Sequence, residues 1–134
     1  MGKYVYPAIF TPEDNGQYSI RFPDIKNCFT GADSLPDAQD MANDVLCLML
    51  YDMELASKDI PGASPVASIQ SQTETGEFVT LIACDTDEYR RKNDNRAVKK
   101  TLSIPSWLNT QAERAGVNFS QLLQDALKEK LSVK

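Results

Sequence analysis

Histidine is absent from all 134 residues. That absence removes Ser-His-Asp triads, Cys-His pairs, His-ligated zinc and imidazole proton transfer together. Cysteine is scarce: Cys28, Cys47 and Cys84 make an odd count with no CxxC spacing. A disulfide framework or a zinc site is therefore not expected, and the thiols read as buried and free. No apolar run approaches the roughly 18 residues of a membrane-spanning helix, and no basic-then-apolar leader opens the chain. The expectation is a cytoplasmic protein with no cofactor. What is present suffices for folding: 42% hydrophobic and 25% charged residues argue against wholesale disorder. The length suits one ordinary domain or two very small ones.

The formal net charge of −5 conceals a division along the chain. Residues 1–89 hold 15 acidic and 4 basic side chains, a net of −11. Residues 90–134 hold 4 acidic and 10 basic side chains, a net of +6. Such asymmetry implies two modules with different partners, the basic one being a candidate for nucleic acid.

The first module opens with Lys3-Tyr4-Val5-Tyr6-Pro7-Ala8-Ile9-Phe10. Aromatic and β-branched residues make this a strand, with Pro7 at an edge or a bulge. Asp14-Asn15-Gly16 is a hairpin turn, because Asn and Gly tolerate positive φ. Tyr18-Ser19-Ile20-Arg21-Phe22 returns as a second strand, closed by Pro23-Asp24, and Cys28-Phe29-Thr30-Gly31 reads as a third. Ser34, Pro36 and Asp37 form a helix start: a cap, a first-turn proline and an acid that complements the helix dipole. Ala38, Met41, Ala42, Val45, Leu48, Met49 and Met53 then recur at helical spacing, predicting an amphipathic helix that ends near Ala56. A Pro/Gly/Ser-rich loop follows, with a short strand expected over Val66–Ile69. Glu77–Cys84 reads as a strand buried on both faces at its centre. The module is thus β-β-β-α-β, an α+β arrangement with its helix on one sheet face. The charged stretch from Asp85 to Asn95 reads as a short helix or a linker. The division is 1–89, a linker at 90–95, and 96–134.

The second module is sharply punctuated. Val98-Lys99-Lys100-Thr101-Leu102-Ser103-Ile104 is a candidate strand stopped by Pro105. One helix spans about Ser106 to Ala115 and ends at Gly116. Asn118 caps a second, whose apolar stripe is Leu122, Leu123, Ala126, Leu127 and Leu131. Under about 40 residues cannot bury an adequate core without a metal, a disulfide or a partner chain. Dimerisation remains, because a lone strand pairs naturally with its symmetry mate. The paired strands would turn Lys100, Leu102 and Ile104 toward the helices. Lys99, Thr101 and Ser103 would face outward on a two-stranded ribbon of the size that fits a DNA major groove.

This module resembles the ribbon-helix-helix DNA-binding domain through Lys99–Pro105 and the turn Gly116-Val117-Asn118-Phe119-Ser120. The resemblance implies a DNA site made of Lys99, Thr101 and Ser103, with the backbone of Asn118, Phe119 and Ser120 meeting a phosphate at the second helix's N-terminus. The ribbon trio has only one long basic side chain, so base specificity is expected to be modest.

The first module is similar to the HicB antitoxin family. The likeness rests on the run Tyr6–Pro12, the DNG turn, Tyr18–Ile25 with its Phe-Pro-Asp closure, and Cys28–Leu35 leading into a helix with Ala38 and Ala42. It implies a partial ribonuclease-H-like fold over residues 1–84. It also implies a partner, a small basic RNA-cleaving HicA toxin that uses a histidine. Glu13, Asp14, Asp33, Asp37, Asp40 and Asp44 are the candidate toxin contacts, since an acidic surface can mimic RNA and steer a basic protein. A Mg²⁺ nuclease would need converging carboxylates, including one on the first strand, and Lys3–Phe10 contains none. The expected function is a non-enzymatic antitoxin of a type II toxin–antitoxin system that binds its toxin and represses its own operon. A ligand-responsive repressor and a residual ribonuclease relying on Asp40 and Asp44 are the competing readings.

Overall fold

The computed structural model describes residues 2–93 and 96–133. The aromatic N-terminal segment forms strand β1 (Lys3–Pro12), followed by a 3₁₀ turn at Asp14–Gly16. Asn15 and Gly16 take φ of 68° and 76°, the left-handed region that these two residue types enter most readily. Strands β2 (Tyr18–Arg21) and β3 (Phe29–Ala32) complete a meander, with Cys28 just ahead of β3. Strand β4 (Phe78–Asp85) lies antiparallel along the other side of β1, giving the order β3-β2-β1-β4. β2 pairs only with Ile9 to Pro12. At Pro7, β1 therefore has a neighbour on the β4 side alone, a local edge where a residue without an N–H is tolerated.

Helix α1 (Leu35–Leu55) starts where Ser34 Oγ accepts the Asp37 N–H at 3.3 Å. Its buried line is Ala38, Ala42, Leu46, Cys47 and Leu50, packed with Tyr6, Ala8, Phe10, Ile20 and Ile82 of the sheet. Of the expected stripe, Ala38 and Ala42 are buried and Val45, Met49 and Met53 pack against the core. Met41 and Leu48 are 41% and 43% exposed, whereas Leu46 and Leu50 are buried. The i, i+4 ladder 38-42-46-50 faces the sheet, and its two alanines let the helix approach closely.

Residues 66–70 form a helix, α2 (Val66–Gln70), not the expected strand. The sheet ends at β3 and β4, and residues 66–70 pair with neither edge. One helical turn instead buries Ile69 and packs against β4 and β1. The preceding loop is pinned by the Tyr6 hydroxyl donating to Pro61 O and by Ser64 donating through N–H and Oγ to Asp24. The Asp24 of the Phe-Pro-Asp closure thus holds a loop 40 residues away. β4 also departs from expectation. Ile82 and Cys84 are buried, yet Leu81 is 55% exposed. α1 covers one sheet face and α2 only part of the other.

On that second face Glu77 joins three strands. Its carboxylate accepts from Arg21 Nη1 at 3.0 Å and from Thr11 Oγ1 at 2.6 Å. Arg21, then the Glu74 N–H and Thr11, hold the Glu77 carboxyl down at about 2. A carboxyl depressed in the folded state contributes stability above its unfolded pKa, and that contribution disappears as pH falls through the folded value. Glu77→Gln should lower the urea midpoint at neutral pH and flatten its fall between about pH 5 and pH 2. Parallel wild-type and variant curves across that window would refute the assignment.

Helix α3 (Thr86–Asn93) follows β4 directly, its first turn held by Asp85 Oδ1 accepting from the Asp87 and Glu88 N–H groups. It docks on α1 through the Tyr51 and Tyr89 rings, 5.5 Å apart, and through Arg90 lying over Tyr51. Glu54 accepts from Tyr4 Oη at 2.7 Å and from Thr86 Oγ1 at 2.9 Å. The Tyr4 phenol is pushed up to about 12 by that hydrogen bond and by burial, so it remains a donor. Of the expected linker 90–95, residues 90–93 are the last turn of α3, and 94–95 lie outside the described residues.

The backbone divides into two units, Met1–Arg96 and Ala97–Lys134. In the second, helix α4 (Ser106–Arg114) ends at Gly116, whose φ is 69°. Helix α5 (Phe119–Leu131) begins where Asn118 Oδ1 accepts the Gln121 N–H at 3.0 Å. Residues 97–105 contain no strand. A ribbon strand needs a partner strand, and the single chain supplies none. The architecture is α+β, a four-stranded antiparallel sheet with five α-helices among the described residues.

Candidate interaction surfaces

Each unit presents one surface of interest. In the first, the hairpin turn, the β2–β3 edge and the N-terminal turns of α1 enclose an open cleft of about 550 Å³. Glu13, Asp33, Asp37 and Asp40 line it, together with Gln17, Tyr18, Ser19 and Met41. Local hydrogen bonds orient two of the carboxylates. Ser19 Oγ donates to Glu13 Oε1 at 3.0 Å, and Gln17 Nε2 donates to Asp33 Oδ1 at 3.2 Å. Four of the six acidic candidates are thereby gathered on one wall-and-floor arrangement. Asp14 sits on the neighbouring 3₁₀ turn and does not line the cleft. Asp44, one helical turn beyond Asp40, lines a different cleft of about 220 Å³ with Asp85 and Glu88.

Gln17, Tyr18, Ser19 and Met41 were not picked out from the sequence. Hairpin pairing alone could have found the first three, because the Asp14–Gly16 turn folds them back beside Glu13. Met41 follows Asp37 by four positions on α1 and so shares its face. Among the described residues no group of three His, Cys, Asp or Glu side chains is arranged to hold a metal ion. Asp40 and Asp44 open into separate clefts.

The second unit has a different character. No described residue from 96 to 133 is buried. Leu102, Ile104, Phe119, Leu122 and Leu127 are all exposed. Lys100, Leu102 and Ile104 border a groove of about 530 Å³ whose other wall is α5, with Phe119, Ser120, Leu122, Leu123 and Ala126. Lys99, Thr101 and Ser103 alternate with that groove-lining set and are exposed. The Asn118 side chain is engaged as the α5 cap, while Phe119 and Ser120 occupy the helix's first turn. No described helix is long and apolar enough to cross a membrane.

Comparison with known proteins adds to this geometry. The family model described as "HicB_like antitoxin of bacterial toxin-antitoxin system" matches residues 6–127. A solved toxin–antitoxin complex from Streptococcus pneumoniae contains a chain of TM-score 0.61 and 26% identity, the match covering 96% of this chain and 99% of that one. The antitoxin HicB of Burkholderia pseudomallei matches with TM-score 0.56 and 18% identity over 96% of this chain and 98% of its own, a likeness of fold. A 14.9 kDa uncharacterised protein from the rep-hol intergenic region of Haemophilus phage HP1 is 25% identical over 105 residues, 78% of this chain and 75% of that protein.

Proposed function

The chain belongs to the HicB-like antitoxin family of bacterial toxin–antitoxin systems, and from that premise we propose a division of labour between its two units. The first unit binds and masks a small basic HicA-like toxin, using the cleft formed by Glu13, Asp33, Asp37 and Asp40. Occupying the toxin there denies RNA access to its active site. Asp14 and Asp44 extend the negative field around the cleft and act on the rate of encounter. In this reading the sheet and α1 are a shortened ribonuclease-H-like scaffold that performs no catalysis.

The second unit dimerises as a ribbon-helix-helix domain and binds operator DNA, repressing the operon in the cytoplasm. Strands formed by residues 98–104 of two chains would pair antiparallel, giving each backbone the partner that it lacks alone. Leu102 and Ile104 would then be covered, and Lys99, Thr101 and Ser103 would enter the major groove. The N-terminal turn of α5, at Asn118, Phe119 and Ser120, would meet a phosphate. The functional division is 1–89 for toxin and 96–134 for DNA, with 90–95 between them.

The observation that carries this reading is the contrast in burial between the units. Residues 2–93 close a core of their own and leave a carboxylate-lined cleft facing outward. Residues 96–133 bury nothing and display a row of apolar side chains. One unit is complete and awaits a basic partner; the other is incomplete without a second copy. The test is co-expression with a HicA-family toxin. A stable complex that suppresses the toxin's RNA cleavage is the expected result. A chain that purifies alone, and whose DNA binding responds to a small molecule, would favour a ligand-responsive repressor instead.

A further inference from the structure

Two of the three cysteines meet on a seam that the antitoxin reading does not use. Cys84 lies on β4 opposite Tyr4, on the sheet face covered by α1, and Cys47 projects from α1 into the same core cluster. Each is only 4% exposed. Asn43 fastens the seam: its Nδ2 donates to Ala83 O at 2.6 Å, and its Oδ1 lies 3.9 Å from Cys47 Sγ. The neighbouring Cys84 thiol lowers the Cys47 pKa, while Cys47 and burial raise that of Cys84. Burial does not isolate the pair. A cleft of about 220 Å³ between α1 and α3 has Cys47 in its lining, and a cleft of about 360 Å³ has Cys84 in its own. The two clefts share Asn43, Asp85 and Glu88, so both cysteines border openings on one side of this unit. Cys28 belongs to the β2–β3 connection, where burial pushes its thiol up to about 11. An inert third thiol makes an internal control.

We propose that Cys47 and Cys84 form a peroxide-responsive dithiol site that closes a reversible disulfide between α1 and β4. The Cys47 sulfur attacks one oxygen of hydrogen peroxide. An S–O bond forms, the O–O bond breaks, and the departing hydroxide takes the thiol proton to leave as water. The Cys84 sulfur then attacks the Cys47 sulfenic sulfur. The S–S bond forms, the S–O bond breaks, and the second hydroxide leaves as water with the Cys84 proton. The two thiols lose two electrons in total, and peroxide is reduced to two waters. A small dithiol reverses the reaction by exchange. Such reversible pairs are the form in which disulfides occur in reducing compartments.

The test uses the full-length chain under native conditions. Hydrogen peroxide is added, remaining thiols are alkylated, and intact mass and peptide maps are recorded. Two of the three thiols should become unreactive. The mass should fall by two hydrogens, the peptides carrying Cys47 and Cys84 should be linked within one chain, and dithiothreitol should restore all the thiols. Cys84→Ser should halt at a Cys47 sulfenic acid captured by dimedone, and Cys47→Ser should yield neither product. Three reactive thiols after peroxide, a link through Cys28, or a link between chains would overturn the proposal. The wild-type map decides on its own if either serine variant fails to fold.

Discussion

A chain ended after residue 95 is expected to lose dimerisation and operator binding together while still neutralising toxin. The physical ground is the burial contrast. The second unit contains no buried described residue and exposes an apolar row of the kind that marks an interaction surface. On the proposed reading, removing it would take away the dimer contact and the ribbon in one step. The remaining fragment keeps Phe10, Ile20, Leu46, Leu50 and Ile82, the residues that close its own core. Single ribbon substitutions act more gently. Lys99→Ala or Thr101→Ala should each weaken operator binding by about 1–3 kcal/mol, because each removes one base or phosphate contact from a shared total. Sedimentation, gel shift and toxin rescue in cells measure the three properties separately. A truncated chain that remains dimeric, or that no longer rescues cells, would contradict the two-unit division.

Reversing the charges of the acidic cleft should do the opposite. Asp33→Lys, Asp37→Lys and Asp40→Lys together are expected to slow toxin association by about 10- to 1000-fold at low salt, the range over which electrostatic focusing acts. The difference should shrink as ionic strength rises, since exposed charges beyond about 10 Å are screened at 0.1 M salt. Operator binding should change little, because none of the three residues belongs to the ribbon or to α5. Asp37 also complements the dipole of α1 from its first turn, so reversing it should cost the helix about 0.3–1 kcal/mol. A thermal melt separates that loss from an effect on the partner. Stopped-flow association rates that are unchanged at low salt would remove the cleft from the toxin interface.

Local signals in the chain proved most readable where one residue type answers one backbone demand. Asn15-Gly16 supplies the positive φ of the first hairpin, and Gly116 supplies it after α4. Ser34 and Asn118 cap α1 and α5 with the side-chain oxygens that an N-cap requires. The aromatic and β-branched run at 3–10 became β1. Misreadings arose where the outcome depended on which surface was available. Val66–Ile69 has strand-like residues, but it joins neither edge of the sheet, and a single helical turn buries Ile69 instead. Met41 and Leu48 fit a helical stripe as well as Leu46 and Leu50 do. Only the position of the sheet decides which ladder faces inward. The acidic candidates show the same limit. Charge density singled out six of them, but only folding of the hairpin beside α1 brought Glu13 to Asp33, Asp37 and Asp40 and turned Asp44 toward another cleft.

The sequence by itself determined the chemistry that this protein cannot perform with histidine, the opposed charges of its halves, and the caps and turns that bound its elements. These properties belong to single residues or short windows, and no distant contact is needed to express them. The tertiary structure alone decided which side chains share a surface: the carboxylates of the cleft, the Arg21–Glu77–Thr11 cluster, and the Cys47–Cys84 seam between a helix and a strand 37 positions apart in the chain. Such neighbours meet only after long segments of chain have been closed into loops, and the packing of α1 on the sheet, rather than any local preference, selects them.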